Sequence, residues 1–148
     1  PALSTEVVCF LRLAIKHLDE NALQEEGLYR ISGRSDVVAS LTKAIKDGRL
    51  TTEMLASCGD VHAVAGAVKR TLRDHAPVIP YDMYLSFCAP DADFAALRHQ
   101  LPPASERLLE CLLQHLRRVL AHSDVNRMTA PALARVVGLN MARRGEET

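Results

Sequence analysis

Apolar residues recur three and four positions apart along most of the chain, the period of helices with one buried stripe. In residues 6–18 the stripe is Val7, Leu11, Ala14, Ile15 and Leu18, with Ser4 or Thr5 as the expected cap. Ser35 or Asp36 is the expected cap of the next helix, which turns Val37, Val38, Leu41, Ala44 and Ile45 inward and stops at Asp47-Gly48. A short helical turn follows over residues 51–58. Asp60 then caps a helix with Val61, Val64, Ala65, Val68 and Leu72 on one face. His62, Gly66, Lys69 and Arg73 fall together on the flank of that stripe.

Pro77 and Pro80 push residues 75–80 toward extended backbone, because proline disfavours helix in the residue before it. Short helices are predicted over 81–87, bearing Tyr84, Leu85 and Phe87, and over 91–100. The longest pattern spans 105–121, with Leu108, Leu109, Leu112, Leu113, Leu116, Val119 and Leu120, and reads as a central core helix. Thr129, with Pro131 in the first turn, opens a last helix carrying Leu133, Val136 and Val137 and ending at Gly138. The polar tail 143–148 is expected to fray. No stretch alternates cleanly as a strand would. The prediction is an all-α domain of about seven helices covering 1–148.

Composition narrows the function. Among 148 residues, 48% are hydrophobic and 24% charged, which suits one globular domain. Eighteen basic residues balance 18 acidic ones, so no net positive field draws the chain to nucleic acid or an anionic membrane surface, although local patches stay open. No apolar run is long enough to span or insert into a bilayer. Cys9, Cys58, Cys88 and Cys111 are too scattered for a zinc site, and three of them lie in apolar or helical stretches that suit buried, reduced thiols. A cytoplasmic protein is the expectation. The chain starts at Pro1 without a methionine, so it is expected to be a piece of something longer.

Little in the chain points to an enzyme of its own. There is no Gly-x-Ser-x-Gly elbow, no glycine-rich phosphate loop and no paired histidines at metal spacing. The six histidines are scattered, mostly on faces expected to be solvated. What remains is a set of cationic and amide side chains, of which one is framed unusually. Gly27-Leu28-Tyr29-Arg30-Ile31-Ser32-Gly33 places an arginine among apolar residues with a glycine at each end. Glycines there suit a tight connection by reaching positive φ, and Leu28 and Ile31 can pin it to a core. Arg30 is then aimed outward from an anchored loop, or else it ends a helix or pairs with Glu25 or Glu26. Lys69 and Arg73, one turn apart, are either a functional basic edge or ordinary solvated residues.

Three blocks decide between these readings. The Gly27–Gly33 stretch resembles the arginine-finger loop of the RhoGAP domain family, which activates Rho-type small GTPases. Asp60-Val61-His62, Lys69-x-x-x-Arg73, Pro77-Val78-Ile79-Pro80 and Tyr84 resemble that family's second block. Asn126-Arg127-Met128-Thr129 with Leu133-Ala134-Arg135-Val136-Val137-Gly138-Leu139-Asn140 resembles its third. The resemblance implies an all-helical domain, shorter at its C-terminus than the family usually is, that binds a GTP-loaded Rho/Rac-type GTPase. Arg30 would enter the partner's site in trans; Lys69 and Arg73 would support the loop and touch the partner, with Arg73 donating to loop carbonyls. Asn140 would hydrogen-bond across the interface. The resemblance also implies no cofactor or metal of the chain's own, since nucleotide and magnesium belong to the partner. Two rival expectations are a RhoGAP-like module that binds without stimulating hydrolysis, and a helical scaffold with an unrelated partner.

Overall fold

A computed structural model describes residues 3–75 and 78–141. Helix α1 (Thr5–Asn21) starts where Ser4 Oγ accepts the Val7 N–H at 3.1 Å, and it closes at Asn21, in the Asp19-Glu20-Asn21 stretch where the sequence places its end. Helix α2 (Ser35–Lys46) follows after a loop. Neither Ser35 nor Asp36 caps it: Ser35 is already helical, and the Asp36 carboxylate is taken by the Arg34 guanidinium at 3.0 Å. Helix α3 (Thr52–Ser57) is capped by Thr51, and helix α4 (Val61–Asp74) by Asp60.

The Asp60 carboxylate joins two helix starts. Its Oδ1 accepts the Ala63 N–H at 3.1 Å, while Oδ2 accepts the Arg34 N–H at 3.0 Å. The Arg34 amide is the main reason the Asp60 carboxyl sits below its usual range, with the Ala63 amide helping. The start of α2 is thereby tied to the start of α4.

After α4 come a tight turn at Tyr81–Met83, α5 (Tyr84–Cys88), α6 (Phe94–His99) and α7 (Pro103–Ala121). Phe87 is buried but Leu85 is 72% exposed, so only part of the predicted apolar set turns inward here. Helix α7 begins two residues before the predicted start because prolines suit the first helical turn. Then follow α8 (Ser123–Asn126) and α9 (Ala130–Leu133), the latter capped by Thr129 as expected. The chain does not stop at Gly138. A widened π-turn over Ala134–Gly138 carries it into α10 (Leu139–Met141), whose Met141 carbonyl accepts the Ile79 N–H at 3.1 Å. Pro77 and the tail 143–148 lie outside the described residues.

The described residues contain no strand, and the fold is all-α as predicted. Helix α4 packs on α1 and α2, and α1 packs on α7. Leu11, Leu18, Val64, Val68, Leu108 and Leu112 are completely buried at these contacts. Each such aliphatic side chain contributes roughly 1.5–3 kcal/mol relative to exposure. On α7 the buried face is Leu108, Leu109, Leu112, His115 and Val119, while Leu113, Leu116 and Leu120 sit at its edge. His115 is fully buried, against the expectation of solvated histidines.

The thiols also depart from expectation. Cys9 and Cys88 are exposed, and Cys58 and Cys111 half-buried. Cys9 falls off the α1 stripe because it lies about 200° around the helix from Val7.

Candidate functional site

The connection between α1 and α2 is built around Gly27. Its φ is +71°, a region glycine enters freely. Its N–H donates to the Asn126 carbonyl at 2.8 Å, and its own carbonyl accepts the Arg30 and Ile31 N–H groups, each at 2.8 Å. A Cβ there would lie 2.6 Å from Ile31 Cδ1. At the far end, Gly33 matters for a different reason. Its φ is not positive; instead a Cβ would collide with the Ala63 N and Cα and stand 2.7 Å from the His62 carbonyl carbon. The loop is pressed onto the first turn of α4, and only a glycine fits.

Tyr29 is the strained residue. It adopts φ +73° without being glycine, a conformation that costs roughly 1–2 kcal/mol. Its ring is buried, and Tyr29 Oη lies 2.7 Å from His115 Nε2. His115 Nδ1 lies 2.6 Å from Asp19 Oδ1, and Arg118 Nη1 donates to Asp19 Oδ2 at 2.9 Å. A carboxylate only accepts, so Nδ1 carries the imidazole hydrogen and the Tyr29 hydroxyl donates to Nε2. Burial holds His115 below its usual pKa despite the opposing pull of Asp19, which keeps the ring neutral. Burial likewise pushes the Tyr29 hydroxyl far above its usual value.

The Tyr29 carbonyl is held separately, by Lys69 Nζ at 2.6 Å. Lys69 is half-buried, and burial together with the Arg73 charge draws its pKa below the usual lysine value.

Beyond these pins, Arg30 is exposed. Glu25 turns instead to His62 Nε2, 3.4 Å away, and among the described residues no ion pair engages Arg30. Next to the loop lies a groove of about 320 Å³ lined by Ile31, Ser32, Lys69, Arg73, Val136 and Asn140. The three supporting residues predicted from sequence are thus brought together on one groove beside the loop. Arg73 is exposed, with Nε 3.8 Å from Asp74 Oδ1, and it is Lys69 that reaches the Tyr29 carbonyl. Asn140 is half-buried and donates to the Val136 carbonyl at 3.1 Å across the π-turn. A larger groove of about 500 Å³, between α1 and α3, contains none of the predicted site residues.

Sequence reasoning gave no role to His115 or Asp19, and it named Asn126 only as part of the third block. Asn126 is completely buried: its side-chain amide donates to the Leu23 and Val119 carbonyls, both at 2.8 Å, and its Oδ1 accepts the Met128 N–H at 2.8 Å. His115 was open to detection, because it continues the Leu108, Leu112 spacing into Val119 on the buried face. Among the described residues no group of three or more His, Cys, Asp or Glu side chains is placed to hold a metal ion. An anchored, exposed guanidinium offers a planar fork of donors to anionic oxygens.

Known proteins match this chain throughout. The family described as RhoGAP domain matches residues 9–146. Rho GTPase-activating protein 12 of Homo sapiens is 29% identical over 94% of the chain, and N-chimaerin of Rattus norvegicus is 33% identical over 90%. The chain spans 18% of the first relative's length and 43% of the second's. Among solved structures, human Rho GTPase activating protein 15 superposes with a TM-score of 0.80 at 23% identity, covering 94% of this chain and 71% of that one. The BH domain from GRAF, the GTPase regulator associated with focal adhesion kinase, superposes with a TM-score of 0.80 at 23% identity, covering 99% and 84%.

Proposed function

The chain belongs to the RhoGAP domain family, and we propose on that footing that it binds a GTP-loaded Rho/Rac-type small GTPase and accelerates GTP hydrolysis through Arg30. Some of its curated relatives, Rho GTPase-activating protein 12 among them, carry the name Rho GTPase-activating protein, which supports the activity at the level of the family. The observation that carries the mechanism is the placement of Arg30, exposed one residue after a Tyr29 held from both its hydroxyl and its carbonyl.

The chemistry follows from charge. During phosphoryl transfer, negative charge spreads over the oxygens around the γ-phosphate, and a guanidinium supplied in trans meets it with two or more aligned donors. Such an arginine is worth about 10³–10⁵ in rate, or roughly 4–7 kcal/mol of barrier. Most of that depends on delivery in a fixed geometry, since a mobile arginine must be ordered in each encounter. Nucleotide and magnesium belong to the partner. Lys69 keeps the loop in shape, while Arg73 and Asn140, on the adjoining groove, supply partner contacts. The chain is then an activator that contributes one catalytic group to the GTPase, and no enzyme by itself.

The partner class is tested by single-turnover GTP hydrolysis with a panel of Rho, Rac and Ras proteins. Stimulation of one or more Rho or Rac members is expected. Stimulation of Ras alone would move the chain to another partner class while sparing Arg30's role.

A further inference from the structure

The two pins on Tyr29 come from different helices, α4 and α7. Lys69 reaches its carbonyl from α4. The other is a chain of hydrogen bonds: Tyr29 Oη to His115 Nε2 at 2.7 Å, His115 Nδ1 to Asp19 Oδ1 at 2.6 Å, and Arg118 Nη1 to Asp19 Oδ2 at 2.9 Å. It crosses from the loop to α7 and on to α1, over sequence separations of 86 and 96 residues. We infer that His115 and Asp19 are positioning residues for Arg30, acting through the Tyr29 hydroxyl. The inference rests on the proposed role of Arg30 and deepens it.

Backbone geometry carries the argument. Tyr29 holds φ +73°, and a non-glycine residue stays in that region only where its surroundings over-determine it. The direction in which Arg30 leaves the loop is set by the peptide that Tyr29 turns. If Tyr29 relaxed to an ordinary φ, Arg30 would point elsewhere with its own side chain unchanged. The ring cannot swing to follow, because it is buried and packs edge-on to the imidazole, with centroids 5.6 Å apart and planes at 72°. Packing alone leaves such a ring free to turn about its long axis and to shift in depth, whereas a bond at the hydroxyl fixes the depth.

Each link in the chain also has a sense. Asp19 only accepts, so it orients the imidazole with Nδ1–H toward itself and leaves Nε2 as the acceptor. With Asp19 removed, the imidazole can take the other tautomer, present Nε2–H to the tyrosine, and leave the Tyr29 hydroxyl hydrogen without a buried acceptor. Arg118, with its side chain 50% exposed, steadies the outer carboxylate oxygen, so the chain ends at the surface of α7. None of these groups needs to touch a partner to set where Arg30 goes.

The test uses Tyr29→Phe, which removes one oxygen and keeps the ring, and Asp19→Asn, which keeps the shape of the carboxylate. Each is compared with the parent chain in GTP hydrolysis with a responsive Rho-type GTPase, and by hydrogen exchange of the free chain. Positioning predicts that the stimulated kcat falls about tenfold while the KM for the GTPase stays within twofold. It also predicts that the Arg30 and Ile31 amides, bonded to the Gly27 carbonyl, exchange at least tenfold faster while amides in the middle of α7 keep their rates. A folded Tyr29→Phe chain with a kcat within twofold of the parent's, or with unchanged Arg30 and Ile31 exchange, would overturn the inference. If Tyr29→Phe does not fold, Asp19→Asn is read by the same criteria. A parent chain that stimulates no Rho-type GTPase would sink the proposed function instead, and the exchange rates would still decide whether the hydrogen-bond chain holds the loop.

Discussion

Lys69 Nζ stands 2.6 Å from the Tyr29 carbonyl oxygen, so the peptide leading into Arg30 is fixed by a helix 40 residues further along the chain. A bond from a charged donor to a buried carbonyl contributes more than a neutral one, roughly 1.5–3 kcal/mol. The charge is half-buried, and losing it affects the loop more than the fold.

Lys69→Met keeps most of the stem and removes the ammonium. The stimulated hydrolysis rate should fall by about tenfold or more, on the order of one of those hydrogen bonds. Circular dichroism should show unchanged helix content. A Lys69→Met chain as active as the parent would return Lys69 to an ordinary helix edge.

Gly33 and Gly138 make a matched pair for stability. Gly33→Ala drives a methyl into the Ala63 backbone, which has no flexible end to move aside, so a loss of roughly 1–3 kcal/mol is expected. Gly138→Ala meets nothing within 4 Å and should be neutral or slightly stabilising, by up to about 1 kcal/mol. Urea denaturation of both variants measures the difference directly.

The helices were legible from the chain and the loop's anchorage was not. The stripes of α1, α2 and α4 follow a helical period, and Ser4, Asp60 and Thr129 act as the caps their positions suggest. Arg30, Lys69, Arg73 and Asn140 were identified through the family's blocks, and the fold gathers the last three on one groove. Periodicity, however, reports which face is buried and says nothing about a polar group buried there. His115 sits on an apolar face because Tyr29 and Asp19 satisfy it from distant segments, and the Asn126 side chain bonds backbone groups as far away as Leu23. The π-turn at Ala134–Gly138 was hidden for a related reason: one extra residue per turn leaves no mark on a four-residue stripe. Gly33 was assigned to positive φ when its real constraint is a close approach to α4.

His115 makes stability depend on pH in a defined window. Its folded pKa is lowered by burial, so between that value and about 6.5 the unfolded chain binds a proton that the folded chain does not. Stability therefore rises with pH across that window and is lost as pH falls below about 6.5. Tyr29, Asp19 and Arg118 face the ring, and of these Asp19 works against the shift. The urea midpoint should be lower at pH 5.5 than at 7.5, and His115→Asn should flatten the difference. Asp60 and Asp74, whose carboxyls lie below their usual range, lose their contribution only near and below about pH 4, outside this window.

Arg73 and Asn140 should behave unlike Lys69. All three line the groove beside the loop, where a partner surface would meet them, but the Lys69 ammonium is engaged by the Tyr29 carbonyl. Arg73→Ala and Asn140→Ala are each expected to weaken binding of the GTP-loaded partner by roughly 5–30-fold, the size of one or two kcal/mol. Titration calorimetry or fluorescence binding reads this without reference to catalysis. Unchanged affinity in both variants would place the partner's contacts elsewhere.

The central claim is that Arg30 acts in the partner's phosphoryl-transfer site, and single-turnover GTP hydrolysis tests it most directly. Parent, Arg30→Ala and Arg30→Lys chains are compared at saturating concentration on the Rho-type GTPase that responds best, with binding measured alongside. Arg30→Ala should lose at least 100-fold of the stimulation, a conservative share of about 10³, while binding stays within a few-fold. Arg30→Lys should be nearly as poor, because lysine is a point charge without the fork. An Arg30→Ala chain that binds and stimulates within twofold of the parent would contradict the account.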